Sequence, residues 1–251
     1  MRRLLVACAV CCAGLAVWSA AADSQGGGAS PSAAPVDARA LAARGAQLYA
    51  QGCVTCHGQD LRGRPGQGPS LRGAGAAAAD FYLSTGRMPL ADPKIEPERT
   101  QPAYPRSDIE ALVAYLGSFG GPGIPRTDPA RGELPKGLEA FTEHCAGCHQ
   151  VVARGGIVTG AAAPPLTQAT PTQIAEAVRV GPYLMPRFSE RQIDQQTLDA
   201  ITRYVLSTRH PDDRGGWGIG HLGPIPEGMI AWLLAGLVLL GVARTIGERA
   251  S

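Results

Sequence analysis

Three stretches of the chain place apolar residues at helical spacing. Leu41, Gly45, Leu48 and Tyr49 fall on one helical face. Ile109, Leu112, Val113 and Leu116 do so again, after a capping box of Ser107 with Glu110 and before Gly117, which reads as a stop. Thr170-Pro171 with Gln173 opens a short helix carrying Ile174, Ala177 and Val178. Alternation with period two is not sustained anywhere, so the pattern predicts an all-α chain with irregular connections.

Two further runs are apolar on all faces. Met1-Arg2-Arg3 precedes one from Leu4 to Val17, and Ala20-Ala21-Ala22 before Asp23 has the small-residue pattern of a cleavage site. Residues 1–22 are therefore expected to be a secretory signal peptide; a retained N-terminal membrane segment is the rival. Cys8, Cys11 and Cys12 read as small hydrophobes of that segment. The second run, Gly228 to Ala243, is uncharged and about 24 Å long as a helix. Snorkelling of Arg244 extends it, predicting a transmembrane helix over 228–247. Trp232 lies near one end, with Arg244 and Arg249 beyond the other. That bias puts the C-terminus in the cytoplasm and residues 23 to 225 outside. A buried helix of a globular domain is the alternative.

An internal repeat organises the middle of the chain. Gly45, Tyr49, Cys53, Cys56 and His57 recur 92 residues later as Gly137, Phe141, Cys145, Cys148 and His149. Pro69-Ser70-Leu71 then matches Pro164-Pro165-Leu166, and Met88-Pro89 matches Met185-Pro186. Ala111 to Tyr115 aligns with Ala200 to Tyr204. Order is kept while spacing drifts, as loops of a duplicated unit allow. The expected organisation is a tether over 23–36, one domain over 37–120, a linker over 121–133, a second domain over 134–214 and a juxtamembrane linker over 215–227. Five prolines between Met88 and Ser107 mark an extended insertion peculiar to the first copy.

Composition sharpens this picture. Of 251 residues 33 are glycine and 21 proline, and aromatics are 5%, so small units with many turns fit better than one large core. The formal charge is +2, all of it from Arg2 and Arg3. A basic footprint is absent, and nucleic acid is not an expected partner.

Cys-x-x-Cys-His is the attachment signature of c-type haem. Two thiols one turn apart can form thioethers to the two vinyl groups of one porphyrin, and the next imidazole can reach the iron. Cys53 and Cys56, and Cys145 and Cys148, are the candidate covalent attachments; His57 and His149 are the candidate axial ligands. Zinc held by all four cysteines would leave both histidines unexplained, and thioredoxin-like redox pairs expect a βαβ setting. The sixth ligand follows by elimination. Met1 is the initiator and Met229 lies in the apolar C-terminal run, leaving Met88 and Met185, 31 and 36 residues after their histidines and each before proline. A thioether is a soft, weak donor that raises the potential relative to bis-histidine ligation; the alternative is that both methionines fill core. His144, His210 and His221 are rival ligands, better read as solvated.

The carbonyls of Pro69 and Pro164 could accept the Nδ1 proton of each haem histidine. Leu71 and Leu166 would cover the porphyrin faces. Tyr49, Phe141, Tyr115 and Tyr204 read as helix-packing aromatics, as do Tyr82 and Tyr183, with a propionate contact as the rival for the last two. Six protein ligands on each iron leave substrate no open position and favour outer-sphere electron transfer, with no catalytic residue expected.

These residues resemble the dihaem cytochrome c subunit of the actinobacterial cytochrome bcc complex. The resemblance is carried by Tyr49 to Gly58, Gly68-Pro-Ser-Leu71, Thr85-Gly-Arg-Met-Pro-Leu90 and Gly121-Pro-Gly-Ile-Pro125. Cys145 to His149, Ala169 to Ile174, Gly181-Pro-Tyr-Leu-Met-Pro186 and Gly223 to Gly228 extend it. It implies two tandem class I c-type cytochrome domains plus a C-terminal anchor in the cell membrane. It further implies a subunit of quinol–cytochrome c reductase, a translocase in which this chain alone is an electron carrier. Its partners would be the cytochrome b and Rieske iron–sulfur subunits, a terminal cytochrome c oxidase and membrane lipid. The resemblance carries the ligand set over as Cys53, Cys56, His57 and Met88, and Cys145, Cys148, His149 and Met185. Two alternatives stand beside it: an electron-input subunit of a haem–copper oxidase, and a dihaem oxidoreductase with one open haem.

Overall fold

Asp37 accepts a hydrogen bond from the Arg39 backbone N–H and starts the first helix, α1 (Ala38–Gly52). The computed structural model describes residues 37–211 and 224–250. The expected export segment, the tether, His221 and most of the juxtamembrane stretch lie outside the described residues. After α1 come α2 (Val54–His57), α3 (Gly75–Ser84) and α4 (Arg106–Gly117). A 3-10 turn (Pro129–Arg131) leads into α5 (Leu134–His144) and α6 (Ala146–His149). A short hairpin, β1 (Gly156–Val158) with β2 (Ala161–Ala163), precedes α7 (Pro171–Val180), α8 (Gln195–Ser207) and α9 (Pro224–Ala250).

The architecture is helical, with the hairpin as its regular sheet, paired antiparallel from Gly156 opposite Ala163 to Val158 opposite Ala161. Strands of three residues are too short for alternation to register in the sequence. The predicted Ser107–Glu110 capping box does not form. Pro105, extended at φ −64° and ψ 156°, is the N-cap, so Ser107 already sits inside the first turn. Glu110 instead accepts from Arg106 Nε at 3.0 Å. The Thr170–Gln173 box forms in both directions.

Each copy of the repeat has its own core. Leu48, Tyr49, Leu61, Ile109, Leu112 and Leu116 make the first; Phe141, Ile174, Val178, Leu198, Ile201 and Val205 make the second. In both, the first and last helices cross at a glycine. A Cβ on Gly45 would land on the Ala111 carbonyl oxygen, and one on Gly137 on the Ala200 carbonyl oxygen. The repeated glycine is thus a requirement for backbone contact, α1 on α4 and α5 on α8. The same crossing pairs Tyr49 with Tyr115 (5.5 Å, 49°) and Phe141 with Tyr204 (5.3 Å, 50°).

The segment between the copies is bound along its length. The Ala77 N–H bonds to the Pro122 carbonyl at 3.1 Å. Asp199 Oδ1 accepts from Thr127 Oγ1 (3.1 Å) and from the Asp128 N–H (2.9 Å). The copies also meet directly where α3 packs on α7. There Asp80, paired with Arg106 at 2.7 Å, faces the fully buried Glu176. Neither oxygen of Glu176 accepts from a donor among the described residues. A carboxylate in that position would be unsatisfied, so Glu176 must hold a proton and direct it at Asp80. Burial first, then the charge of Asp80, pushes its pKa up to about 9.

Two predictions follow from these contacts. Gly45→Ala and Gly137→Ala should each destabilise the protein by roughly 1–3 kcal/mol through overpacking, read as a lowered midpoint in thermal unfolding of the purified protein. The folded chain holds the Glu176 proton between an ordinary carboxylate value near 4.5 and about 9, while the unfolded chain releases it. Stability should therefore fall as pH rises across that window and level off above it. Glu176→Gln should flatten the dependence and unfold at a higher temperature than the parent at pH 9.

Candidate functional site

Tyr49 and Phe141 occupy equivalent places one turn before the first cysteine of each motif. The Cys53 N–H bonds to the Tyr49 carbonyl at 2.9 Å, and the Cys145 N–H to the Phe141 carbonyl at 2.8 Å, closing α1 and α5. The chain then starts a fresh single turn, α2 or α6. In it the His57 N–H reaches the Cys53 carbonyl (3.0 Å) and the His149 N–H the Cys145 carbonyl (2.9 Å). Both cysteines and the histidine of each motif thus sit on one tight turn.

The loop that follows is also duplicated. Leu61 and Ala153 both take positive φ (59° and 56°), as do Gly63 and Gly155 (80° and 79°). A Cβ at Gly63 would strike the backbone of Gly68 and Pro69; at Gly155 it would strike Ala163 and Pro164. This turn sends the chain back so that the Leu71 N–H bonds to the Leu61 carbonyl and the Leu166 N–H to the Ala153 carbonyl, both at 2.9 Å. The Pro69 carbonyl then meets His57 Nδ1 at 2.9 Å, and the Pro164 carbonyl meets His149 Nδ1 at 3.0 Å. A carbonyl only accepts, so the proton lies on Nδ1 and the Nε2 lone pair is left to bind a metal.

Met88 packs on the first core together with Cys53, Val54 and Leu71. Met185 packs on the second with Leu166 and Phe188. In the second copy Cys145, Cys148, His149 and Met185 line one cavity of about 450 Å³, with Leu166, Ile174, Val178, Ile201 and Val205 among its apolar walls. The two cysteine pairs belong to separate cores, so four thiols do not converge as zinc requires.

Similarity to known proteins now bears on this geometry. The family model described as cytochrome c matches residues 42–119. The one described as cytochrome c oxidase, cbb3-type, subunit III matches residues 132–205. The cytochrome bc1 complex cytochrome c subunit of Corynebacterium diphtheriae is 36% identical over 234 residues, covering 85% of this chain and 83% of that protein. Its counterpart in Mycobacterium leprae is 38% identical over 224 residues, covering 85% and 78%. A more distant relative is the cbb3-type cytochrome c oxidase subunit CcoP of Azospirillum sp., 28% identical over 185 residues, 65% of this chain and 60% of that one. The chain belongs to the family of cytochrome bc1 complex cytochrome c subunits.

As a member it is an electron-transfer subunit of a bc complex, and its two cytochrome c domains carry two covalently bound c-type haems. The side chains present fit that group. Burial, then the neighbouring Cys148, pushes the Cys145 thiol up to about 12, and burial also raises Cys53. Redox-active pairs need the opposite shift. Burial lowers the His149 pKa more than the Pro164 carbonyl raises it, which keeps the imidazole neutral and able to donate from Nε2.

Of the rival ligands among the described residues, His144 borders the second cavity. His144 lies against Phe188 (5.8 Å between centroids) and Glu143, and His210 is exposed. Tyr82 is held by the backbone of Tyr183, with burial raising its pKa. Sequence reasoning missed Arg87 and Arg99, which reach the second cavity from the first copy. Arg87 stands directly before Met88 and Arg99 lies in the irregular insertion after it, and spacing within one copy does not show that either faces the other.

Two hydroxyls fasten the duplicated loops: Tyr49 donates to the Gly58 carbonyl at 2.6 Å and Tyr204 to the Val151 carbonyl at 2.7 Å. Tyr49→Phe should strand a buried carbonyl and lower stability by about 1–3 kcal/mol in thermal unfolding, while Tyr204→Phe, at a more exposed bond, should cost less.

Proposed function

We propose that this chain is the membrane-anchored dihaem relay of a respiratory quinol–cytochrome c reductase. It accepts electrons from a Rieske iron–sulfur protein and delivers them to a terminal cytochrome oxidase by outer-sphere transfer. The observation that carries this reading is the duplicated donor set. Each copy offers two thiols on one turn, an imidazole whose Nδ1 is engaged by a proline carbonyl, and a Met-Pro thioether on the same core.

In this reading Cys53 and Cys56 hold one haem and Cys145 and Cys148 the other, each through two thioethers. His57 with Met88, and His149 with Met185, would supply the iron ligands. When bound, each haem supplies a one-electron Fe(III)/Fe(II) couple. The soft methionine donors favour the ferrous form and leave no position for a substrate. The Pro69 and Pro164 carbonyls fix the imidazole tautomer and strengthen its donation.

The domains are 37–120 and 134–214, joined by 121–133. Glu227–Arg249 of α9 supports an anchor: 23 residues that contain an 18-residue window of mean hydropathy 2.0, none of that window buried. The positive charges of Arg244 and Arg249 support a cytoplasmic C-terminal end with the haem domains outside, after export by residues 1–22.

The matches to a cbb3-type oxidase subunit favour one second reading, an electron-input subunit of a haem–copper oxidase. Affinity capture separates the two. Recovery of cytochrome b and Rieske subunits supports the first; recovery of a copper oxidase alone supports the second.

The ligand set has its own test. Met88→His and Met185→His should each lower the midpoint potential of one of two haem components in a spectroelectrochemical titration, leaving the other unchanged. A high-spin ferric fraction in the parent protein, or a spectrum altered at once by cyanide, would overturn the assignment of two six-coordinate irons.

A further inference from the structure

The cavity around Cys145, Cys148, His149 and Met185 is not built by the second copy alone. Phe81, Arg87, Glu96, Pro97, Glu98 and Arg99 complete it from the first. The insertion after Met88 is pinned to do so. The Thr100 N–H bonds to the Thr85 carbonyl at 3.1 Å, and Gln173 Nε2 donates to Ser84 Oγ across the seam at 3.2 Å. Arg99 Nη2 donates to Gln173 Oε1 (2.9 Å) and to the Gln168 carbonyl (3.2 Å), both in the second copy.

Arg87 is the least satisfied group in this wall. Its guanidinium lies 5.0 Å from the centroid of the Phe81 ring, and its Nη1 is buried with no acceptor. Arg99 repels it and Glu96 compensates in part. Two guanidinium groups held together, one with an orphaned buried N–H, are costly unless an anion sits between them. Every other lining side chain that carries formal charge at neutral pH is an acid, Glu96 or Glu98. Neither glutamate satisfies the buried Arg87 Nη1, so the wall fits an occupant that is apolar over most of its surface and carries an acidic edge. A porphyrin with two propionates has that shape and charge, and a planar guanidinium binds a carboxylate with two parallel hydrogen bonds.

The geometry points to Arg87 and Arg99 as propionate-binding residues for the second haem, contributed in trans by the first copy. This rests on the reading that His149 and Met185 ligate that haem. The two positive charges stabilise the more negative, ferrous state, so the potential of the second haem depends on residues of the first domain.

The test is a spectroelectrochemical titration of the full-length chain in its purified complex. Met185→His identifies the component belonging to the second haem. Arg87→Gln and Arg99→Gln should each shift that component to lower potential and leave the other in place, and Arg87→Lys should restore part of the shift by returning the charge. Should Arg87→Gln fail to accumulate haem-loaded protein, Arg99→Gln and Arg87→Lys read the same component. If Met185→His moves one component but neither arginine-to-glutamine change does, the arginine assignment is overturned and the ligand reading survives. A shift confined to the other component overturns it too, giving the arginines to the haem of Met88. If Met185→His moves no component, both fall together.

Discussion

Backbone contact between the first and last helix of each copy is the constraint on which the haem sites depend. At Gly45 over Ala111, and at Gly137 over Ala200, the helices approach more closely than any side chain permits. That contact fixes how α1 and α5 are rotated, which turns Tyr49 onto Tyr115 and Phe141 onto Tyr204. The aromatic residue in turn sits one turn before the first cysteine, and its carbonyl closes the helix there. The position of both thiols and of the histidine therefore descends from a residue with no side chain, eight positions upstream of the first cysteine and well outside the motif.

Where the copies are not bound by this constraint they diverge. In the first, an isolated bridge between Arg64 and Gly68 closes the loop to the proline carbonyl. In the second, a longer hairpin does the same work. The first copy also spends a long irregular segment between Met88 and α4, where Tyr104 occupies the space beside Gly52. The equivalent of Gly52 is His144, which finds room against Phe188 because the second copy lacks that segment. Between the copies the seam is polar at its centre. A protonated Glu176 facing Asp80 adds little net stability, but a one-turn slip of α3 along α7 would leave it facing no carboxylate.

How much of this was legible in the sequence depends on whether the signal was local. Cys-x-x-Cys-His, the proline carbonyls and the repeated glycine are short-range patterns, and the structure places the proline carbonyls on Nδ1 as their spacing implied. The Thr170–Gln173 cap was legible for the same reason. Ser107 and Glu110 have that spacing too, yet the helix starts two residues earlier, where the Pro105 carbonyl accepts from the Asp108 and Ile109 N–H groups. The positive φ at Leu61 and Ala153 carries no residue signal, since neither type favours it. Arg87, Arg99, Asp80 and Glu176 were silent because their roles depend on the other copy, which local spacing does not encode.

With the ligand set proposed above, two irons with the same donors would start from similar potentials, a problem for a relay. Their surroundings would separate them. His149 is 8% exposed, whereas His57 is only half-buried. A drier site would penalise the ferric charge, and the proposed propionate contacts of Arg87 and Arg99 would favour the added electron. Both effects act in one direction at the second copy, and neither requires a change of ligand. A duplicated domain can thus keep its coordination chemistry constant and set its electron energetics at the seam, where one copy supplies the electrostatic environment of the other. Arg99 reaches that seam from the insertion after Met88, a segment that the first copy has and the second does not, and Arg87 from the residue just before it.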